Sequence, residues 1–231
     1  MLKIDLPGLA LLDYFTGNDD VSLKLHNTYG EPEDMPVEVY FRSKEDFNSL
    51  ELMALENSKG RILDIGAGAG SFTIELENAG LDVTALEISP SCCQIMERMG
   101  VQNILETDIW DYSDEKYDTL LLMMNGIGLA GSLEKLPDFL LKMKGLLNKE
   151  GKIIFDSSDI SYLYEGIDKP KETYYGEIGY CFEYQEQMGE WFQWLYVDEN
   201  TLQEICTSVG LKMNILHKNE FDQYLAELKM I

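Results

Sequence analysis

The chain has 231 residues, with 18 Lys and Arg against 42 Asp and Glu, a formal net charge of −24. This length accommodates one α/β domain with an N-terminal extension and excludes two such domains of ordinary size. Nucleic-acid binding depends on Lys and Arg that neutralise phosphates, so no nucleic-acid partner is expected for so acidic a chain. The same charge favours neutral or cationic small molecules.

The cysteines and the uncharged stretches indicate where the protein resides. The four cysteines form no C-x-x-C pair, so neither a disulfide framework nor a metal site is predicted. Residues 1–13 include a Pro and two Asp, unlike a signal peptide. The longest uncharged stretch, residues 119–133, is shorter than the roughly 20 residues that span a bilayer. We therefore expect a cytoplasmic protein with no membrane partner.

Residues 61–156 alternate between short apolar runs and longer amphipathic segments. This alternation predicts βαβ units and a parallel sheet. The predicted strands cover residues 61–65, 82–86, 103–106, 117–123 and 152–156. The clearest helix between them covers about residues 137–147, where Pro137 suits the first turn.

After the last of these strands the pattern changes to a two-residue alternation. Residues 179–185 and 191–197 flank a turn at 187–190 and predict a β-hairpin. Asp198 then predicts the N-cap of a helix that ends near Val209.

Three glycines mark the end of the first predicted strand, at positions 66, 68 and 70. Glycine there lets the backbone turn tightly and approach a ligand that a Cβ would exclude. Twenty-one residues after Gly66, Glu87 ends the second strand. A carboxylate at that position can accept hydrogen bonds from both hydroxyls of a ribose, so the two features together predict adenosine binding.

Two residues distinguish a nicotinamide dinucleotide from S-adenosylmethionine as the ligand. The dinucleotide fingerprint G-x-G-x-x-G requires glycine where this chain has Ser71, and it usually has an apolar residue where this chain has Asp64. A carboxylate beside the turn would repel a pyrophosphate, but it suits the ammonium of a methionine moiety and a neighbouring sulfonium. The residues therefore favour a cationic cofactor.

The motif Asp64-x-Gly66-x-Gly68-x-Gly70, followed by Glu87, resembles the class I S-adenosylmethionine-dependent methyltransferase family. The resemblance covers roughly residues 61–156 well and the rest of the chain loosely. It implies a Rossmann-like, doubly wound α/β fold. Such a fold has a mostly parallel seven-stranded sheet with an antiparallel C-terminal strand pair, and a small N-terminal lid.

The same resemblance places the remaining segments. Residues 212–217 form a predicted strand. Residues 221–230 fit a helix or a strand by composition, and the family's terminal strand pair favours a strand. Residues 1–42 form the expected lid or extension, and residues 43–231 the S-adenosylmethionine-binding methyltransferase domain.

The resemblance also assigns a cofactor site. Asp108 would accept from the adenine amino group, and the backbone N–H of Ile109 would meet the ring. In the lid, Arg42 could pair with the methionine carboxylate or be an ordinary surface side chain, and Tyr40 could pack near the sulfonium. The expected cofactor-binding residues are Asp64, Gly66, Ala67, Gly68, Glu87, Ile88, Asp108, Ile109, Asn125, Tyr40 and Arg42.

The acceptor side is less defined. Ligands of open α/β sheets lie beyond the carboxyl ends of the strands, which points to Asn125 and Asp156, although each could instead cap its own turn. His26 and His217 are weaker candidates for a general base, which a direct displacement does not require. The aromatic residues that could form a substrate wall are Tyr162, Tyr164, Trp191, Phe192, Trp194 and Tyr196. Half of them are expected to belong to the core instead. The expected substrate-binding residues are Asn125, Asp156, Tyr162 and Trp194.

The leading hypothesis is a methyltransferase that acts on oxygen, nitrogen or sulfur of a small molecule. The Asn-Pro-Pro-Tyr motif of family members that act on DNA bases or protein glutamine is missing from this sequence. The alternatives are an NAD(P)-dependent oxidoreductase and a non-catalytic S-adenosylmethionine-binding module. The chain is expected to be a monomer or a homodimer, and no catalytic side chain is assigned.

Overall fold

The computed structural model describes residues 4–18 and 20–231. Within them the α-helices are α1 Leu6–Phe15, α2 Ser49–Asn57, α3 Ser71–Asn78, α4 Pro90–Met99, α5 Leu136–Gly145 and α6 Glu199–Ser208. The strands are β1 Leu23–Asn27, β2 Glu33–Met35, β3 Arg61–Ile65, β4 Asp82–Glu87, β5 Ile104–Glu106, β6 Tyr117–Leu122, β7 Leu147–Ser158, β8 Glu177–Tyr184, β9 Gln187–Met188, β10 Phe192–Leu195, β11 Leu211–Lys218 and β12 Gln223–Met230. Short 3-10 helices lie at Val37–Phe41, Lys44–Asp46, Gly126–Ala130 and Ser161–Tyr164.

The main sheet has seven strands in the order β11-β12-β7-β6-β3-β4-β5. Strands β5, β4, β3, β6 and β7 are parallel, whereas β12 is antiparallel to both β7 and β11. The connection order reverses between β3 and β6, and in such sheets ligands bind beyond the strand ends at that point. The predicted fold is confirmed, including the C-terminal strand pair.

Helices cover both faces of the main sheet because its strands are apolar on both sides. Alternate residues of β3 belong to opposite layers: Ile62 packs with α2 and α3, whereas Leu63 packs with α5 and α6. Both side chains are fully buried. The continuous apolar run of this strand therefore reflects burial from two sides.

The second sheet has the order β10-β8-β1-β2, with β9 also paired to β8. Strand β8 pairs with β1 along one edge and with β9 and β10 along the other, always antiparallel. The sheet thus joins the N-terminal segment to the hairpin predicted after residue 179. The turn of that hairpin lies at Gln185 and Glu186, both with positive φ, and not at residues 187–190. The reason for this correction is that Tyr184 and Gln187 already pair across the turn.

Within the described ranges, no helix combines the length and apolar character needed to cross a membrane.

Candidate active site

A cavity of about 680 Å³ lies beyond the carboxyl ends of β3, β4 and β6. This volume is within the roughly 300–1,000 Å³ that small-molecule sites occupy. The strand ends and their loops form one side, and α1, the segment around Tyr40 and the second sheet cover the other. Of the expected cofactor-binding residues, the cavity is lined by Tyr40, Asp64, Gly66, Ala67, Gly68, Glu87, Ile88, Asp108 and Ile109.

Glu87 ends β4 and is only 8% exposed. Its Oε2 accepts a hydrogen bond from the Gly68 N–H at 2.8 Å, and its Oε1 accepts from the N–H groups of Ile88 and Ser89 at 2.8 and 2.9 Å. Burial raises the pKa of Glu87, and the three N–H groups partly oppose that shift. The carboxylate is therefore held in one position between the glycine turn and the loop after β4.

Asp64 lies beside the glycine turn and is 2% exposed. One of its oxygens accepts from the Thr73 hydroxyl at 2.6 Å. Burial raises the pKa of Asp64 to about 6, and the negative charge of Glu87 acts in the same direction. A cation bound in the cavity next to Asp64 would favour its ionised form.

The N-terminal segment packs directly on the glycine turn. Gly68 has a φ of +58°, and a Cβ there would lie 3.3 Å from the Tyr40 ring. The Ser71 hydroxyl at the start of α3 donates to the Tyr40 carbonyl at 2.5 Å. Burial raises the pKa of the Tyr40 phenol to about 12. Tyr40 therefore packs against the turn and lines the cavity, and its place near a bound sulfonium stays a prediction.

Asp5 joins the first helix to the loop after β4. Its carboxylate caps α1 by accepting from the Gly8 N–H at 3.0 Å, and it also accepts from the Ser89 hydroxyl at 2.6 Å. Ser89 is in turn the N-cap of α4 and accepts from the Cys92 N–H. One carboxylate thus holds the start of α1 over the start of α4, beside Glu87.

Arg42 requires a correction, because it does not line the cavity. Its guanidinium makes two hydrogen bonds to Glu51, at 2.6 and 3.1 Å, and a third to the Val39 carbonyl at 2.9 Å. Glu51 is buried in the capping box at the start of α2, where it also accepts from the Asn48 N–H. The strongest available partner of Arg42 is therefore this buried carboxylate, and the arrangement gives no support to a role with the cofactor.

Asn125 and Asp156 are also placed differently from the expectation. Neither lines the cavity. Both oxygens of Asp156 accept from the Asn125 N–H at 3.0 Å, and the Asn125 side-chain amide donates to the Leu195 carbonyl at 3.0 Å. Burial raises the pKa of Asp156 to about 7. These contacts correspond to the alternative in which each residue caps the turn at the end of its strand. They also tie the loop after β6 to β10.

Three further candidates lie outside the cavity. Tyr162 is 56% exposed and does not line it. His26 pairs with Glu183 at 2.6 Å within the second sheet, and His217 lies 3.0 Å from the Ser49 hydroxyl. The structure therefore brings neither histidine to the position of a general base.

The second sheet contributes an aromatic wall to the cavity, which we define as Tyr180, Phe182, Phe192, Trp194 and Tyr196. The wall follows from pairing, because Phe192 is opposite Tyr180 and alternate residues of a strand share one face. Trp191, which the same alternation places on the opposite face, is 56% exposed. Tyr180 and Phe182 were not among the predicted wall residues, although the alternation of residues 179–185 carried the signal.

The chain is similar to known methyltransferases. The methyltransferase domain family model matches residues 40–215. A solved S-adenosylmethionine-dependent methyltransferase from Bacteroides fragilis, in complex with S-adenosyl-L-homocysteine, is 33% identical with a TM-score of 0.90, over 98% of this chain and 94% of that chain. A probable cobalt-precorrin-6B C(15)-methyltransferase (decarboxylating) from Thermoplasma acidophilum is 23% identical over 62% of this chain and 77% of its own length. An uncharacterized methyltransferase from Staphylococcus carnosus is 24% identical over 80% and 84%, respectively.

Proposed function

Since this chain belongs to the class I S-adenosylmethionine-dependent methyltransferases, we propose that it methylates a small molecule held against the aromatic wall. Membership of this family makes the protein an enzyme with S-adenosylmethionine as its methyl donor, which decides against an oxidoreductase. The observation that supports a small acceptor is the cavity itself. It is about 680 Å³ in volume and is covered by α1 and the second sheet.

The residues of the cavity fit the cofactor. Gly68 leaves open a space that a Cβ would fill against the Tyr40 ring. We propose that the Glu87 carboxylate accepts from the ribose hydroxyls, that Asp108 accepts from the adenine amino group, and that Asp64 pairs with the methionine ammonium. When bound, the cofactor supplies a methyl group on a sulfonium, which makes that carbon open to direct displacement.

The protein's own contribution is to position the acceptor and to exclude water. Packing between α1, Tyr40 and the aromatic wall confines an acceptor beside the strand ends, and such positioning alone accelerates a displacement strongly. We propose residues 1–42 as the lid and residues 43–231 as the cofactor-binding domain. Residues 1–3 and 19 of this lid lie outside the described residues.

The test has two arms. S-adenosyl-L-homocysteine is expected to raise the melting temperature of the purified chain, whereas NAD and NADP leave it unchanged, because ligands that bind only the native state stabilise it. A cell extract is then separated by ultrafiltration into small molecules and retained macromolecules. Each fraction is incubated separately with the enzyme and methyl-labelled S-adenosylmethionine. Label transferred to the ultrafiltrate supports the proposal, and label on the retained protein or RNA contradicts it.

A further inference from the structure

The cavity has two chemically different sides. It carries the carboxylates of Asp64, Glu87 and Asp108 beyond the strand ends, and that of Asp5 at the start of α1. The aromatic wall opposite has no charged side chain. Among the residues that the structure describes, no Lys, Arg or His lines the cavity on either side. An anionic acceptor would therefore meet no cationic side chain of the protein to compensate for its lost hydration.

The wall also lacks a group that could take a proton. Its ionisable groups are the phenols of Tyr180 and Tyr196, whose oxygens lie 3.0 Å apart in a hydrogen bond. Burial raises the pKa of both phenols above the ordinary value, so they stay protonated at neutral pH. An alcohol or a phenol must lose its proton to react, whereas an uncharged amine already has a free lone pair.

We propose that the methyl acceptor is the nitrogen of an amine that attacks in its neutral form. This inference rests on the methyltransferase activity proposed above. The nitrogen lone pair forms the new N–C bond while the bond from the methyl carbon to sulfur breaks, and the electron pair of the broken bond stays on sulfur. The positive charge passes from sulfur to nitrogen, and a proton on the new ammonium leaves to solvent. The faces of the aromatic rings stabilise that cation.

Among the wall residues, Trp194 lies against the loop that follows β6. Its indole lies so close to Gly128 that a Cβ at Gly128 would collide with it. Gly128 belongs to the loop after β6, which the Asn125 side chain ties to the Leu195 carbonyl. The Trp194 ring is therefore held where the strand ends meet the aromatic wall.

A binding experiment tests this inference without turnover. The complex with S-adenosyl-L-homocysteine is titrated by calorimetry with benzyltrimethylammonium, benzyl alcohol and benzoate, which share a ring and differ in charge. The cation is expected to bind about tenfold more tightly than the alcohol, and benzoate not to bind. Trp194→Leu should remove most of the preference for the cation. Trp191→Leu, outside the cavity, should leave it unchanged.

Equal binding of the alcohol or of benzoate would overturn the amine assignment, as would a Trp194→Leu variant that keeps the full preference. A second measurement follows the labelled product of the ultrafiltrate on a cation exchanger, after the unreacted S-adenosylmethionine, itself a cation, has been removed. Retention of the label supports an amine product, and label in the neutral or anionic fraction contradicts it. If S-adenosyl-L-homocysteine itself fails to stabilise the protein, the proposed function fails rather than the choice of acceptor.

Discussion

Glu87 holds the wall of the cavity together, because its carboxylate accepts from three backbone N–H groups there. Truncation to alanine would leave those donors without an acceptor, so Glu87→Gln is the cleaner variant. It removes the charge and keeps one oxygen for the N–H groups of Ile88 and Ser89, at the loss of the acceptor for the Gly68 N–H. We expect S-adenosyl-L-homocysteine to bind about 1.5–3 kcal/mol more weakly, the usual contribution of a hydrogen bond to a charged group.

The control for this prediction is Glu106→Gln. Glu106 is the register partner of Glu87 on the neighbouring strand, and it is exposed and outside the cavity. Calorimetry of both variants, with a melting curve for each, checks the result. An unchanged affinity of Glu87→Gln would mean that Glu87 does not hold the ribose.

Asp156 predicts a pH dependence of stability. Burial raises its pKa from 3.8 to about 7, so between about pH 4 and pH 7 the folded state binds more protons than the unfolded state. The free energy of unfolding must then fall as the pH rises through this range. Asp156→Asn cannot ionise and keeps an oxygen for the Asn125 N–H. We expect the free energy of unfolding of this variant to fall less steeply with pH than that of the wild type. The two slopes should differ by up to about 1.4 kcal/mol per pH unit within that window.

Urea unfolding at a series of pH values measures this difference. Asp138→Asn is the control, since it removes the same charge from an exposed position in the first turn of α5. Asp64, whose pKa burial raises to about 6, adds a similar slope that remains in both variants. Parallel curves for Asp156→Asn and the wild type would contradict the prediction.

At the scale of elements, α1 depends on Asp5 for its place over the cavity. Asp5→Ala removes the N-cap of α1 and the hydrogen bond from Ser89, and loss of such a cap costs about 1 kcal/mol. We expect faster amide exchange in α1, unchanged exchange in β3 and β6, and weaker binding of S-adenosyl-L-homocysteine. Asp138→Ala, which removes an acid from the first turn of α5, is the control. Unchanged exchange in α1 would show that Asp5 does not hold it.

The elements of the two sheets differ in how far they could be predicted. The strands of the main sheet begin and end close to their predicted bounds, because a buried apolar run between turn residues is a local signal. Strand β7 is the exception and begins at Leu147, before the predicted residue 152. The second sheet was not predicted, because β1 pairs with β8 and no local pattern links segments so distant in the chain.

For the whole molecule, the net charge of −24 predicts no salt-sensitive binding to duplex DNA or tRNA near physiological ionic strength. The physical reason is the shortage of cations to replace the counterions of a polyphosphate. Electrophoretic or fluorescence titrations over a range of salt concentrations measure this. A micromolar complex that weakens steeply with salt would contradict the prediction.

The sequence by itself determined the fold class, the family and the cofactor. Asp64, the glycines and Glu87 lie within one βαβ unit, so the short spacings of this motif sufficed to indicate the family. Tertiary structure decided which partner each remaining polar residue took and which face of each strand met the cavity. Arg42 pairs with Glu51, nine residues away, Asn125 binds Asp156 across 31 residues, and Tyr180 joins Phe192 in the aromatic wall through strand pairing. Such choices depend on which surfaces the chain brings together; the alternation of residues 179–185 indicated which side chains share a face, but not that this face meets the cavity.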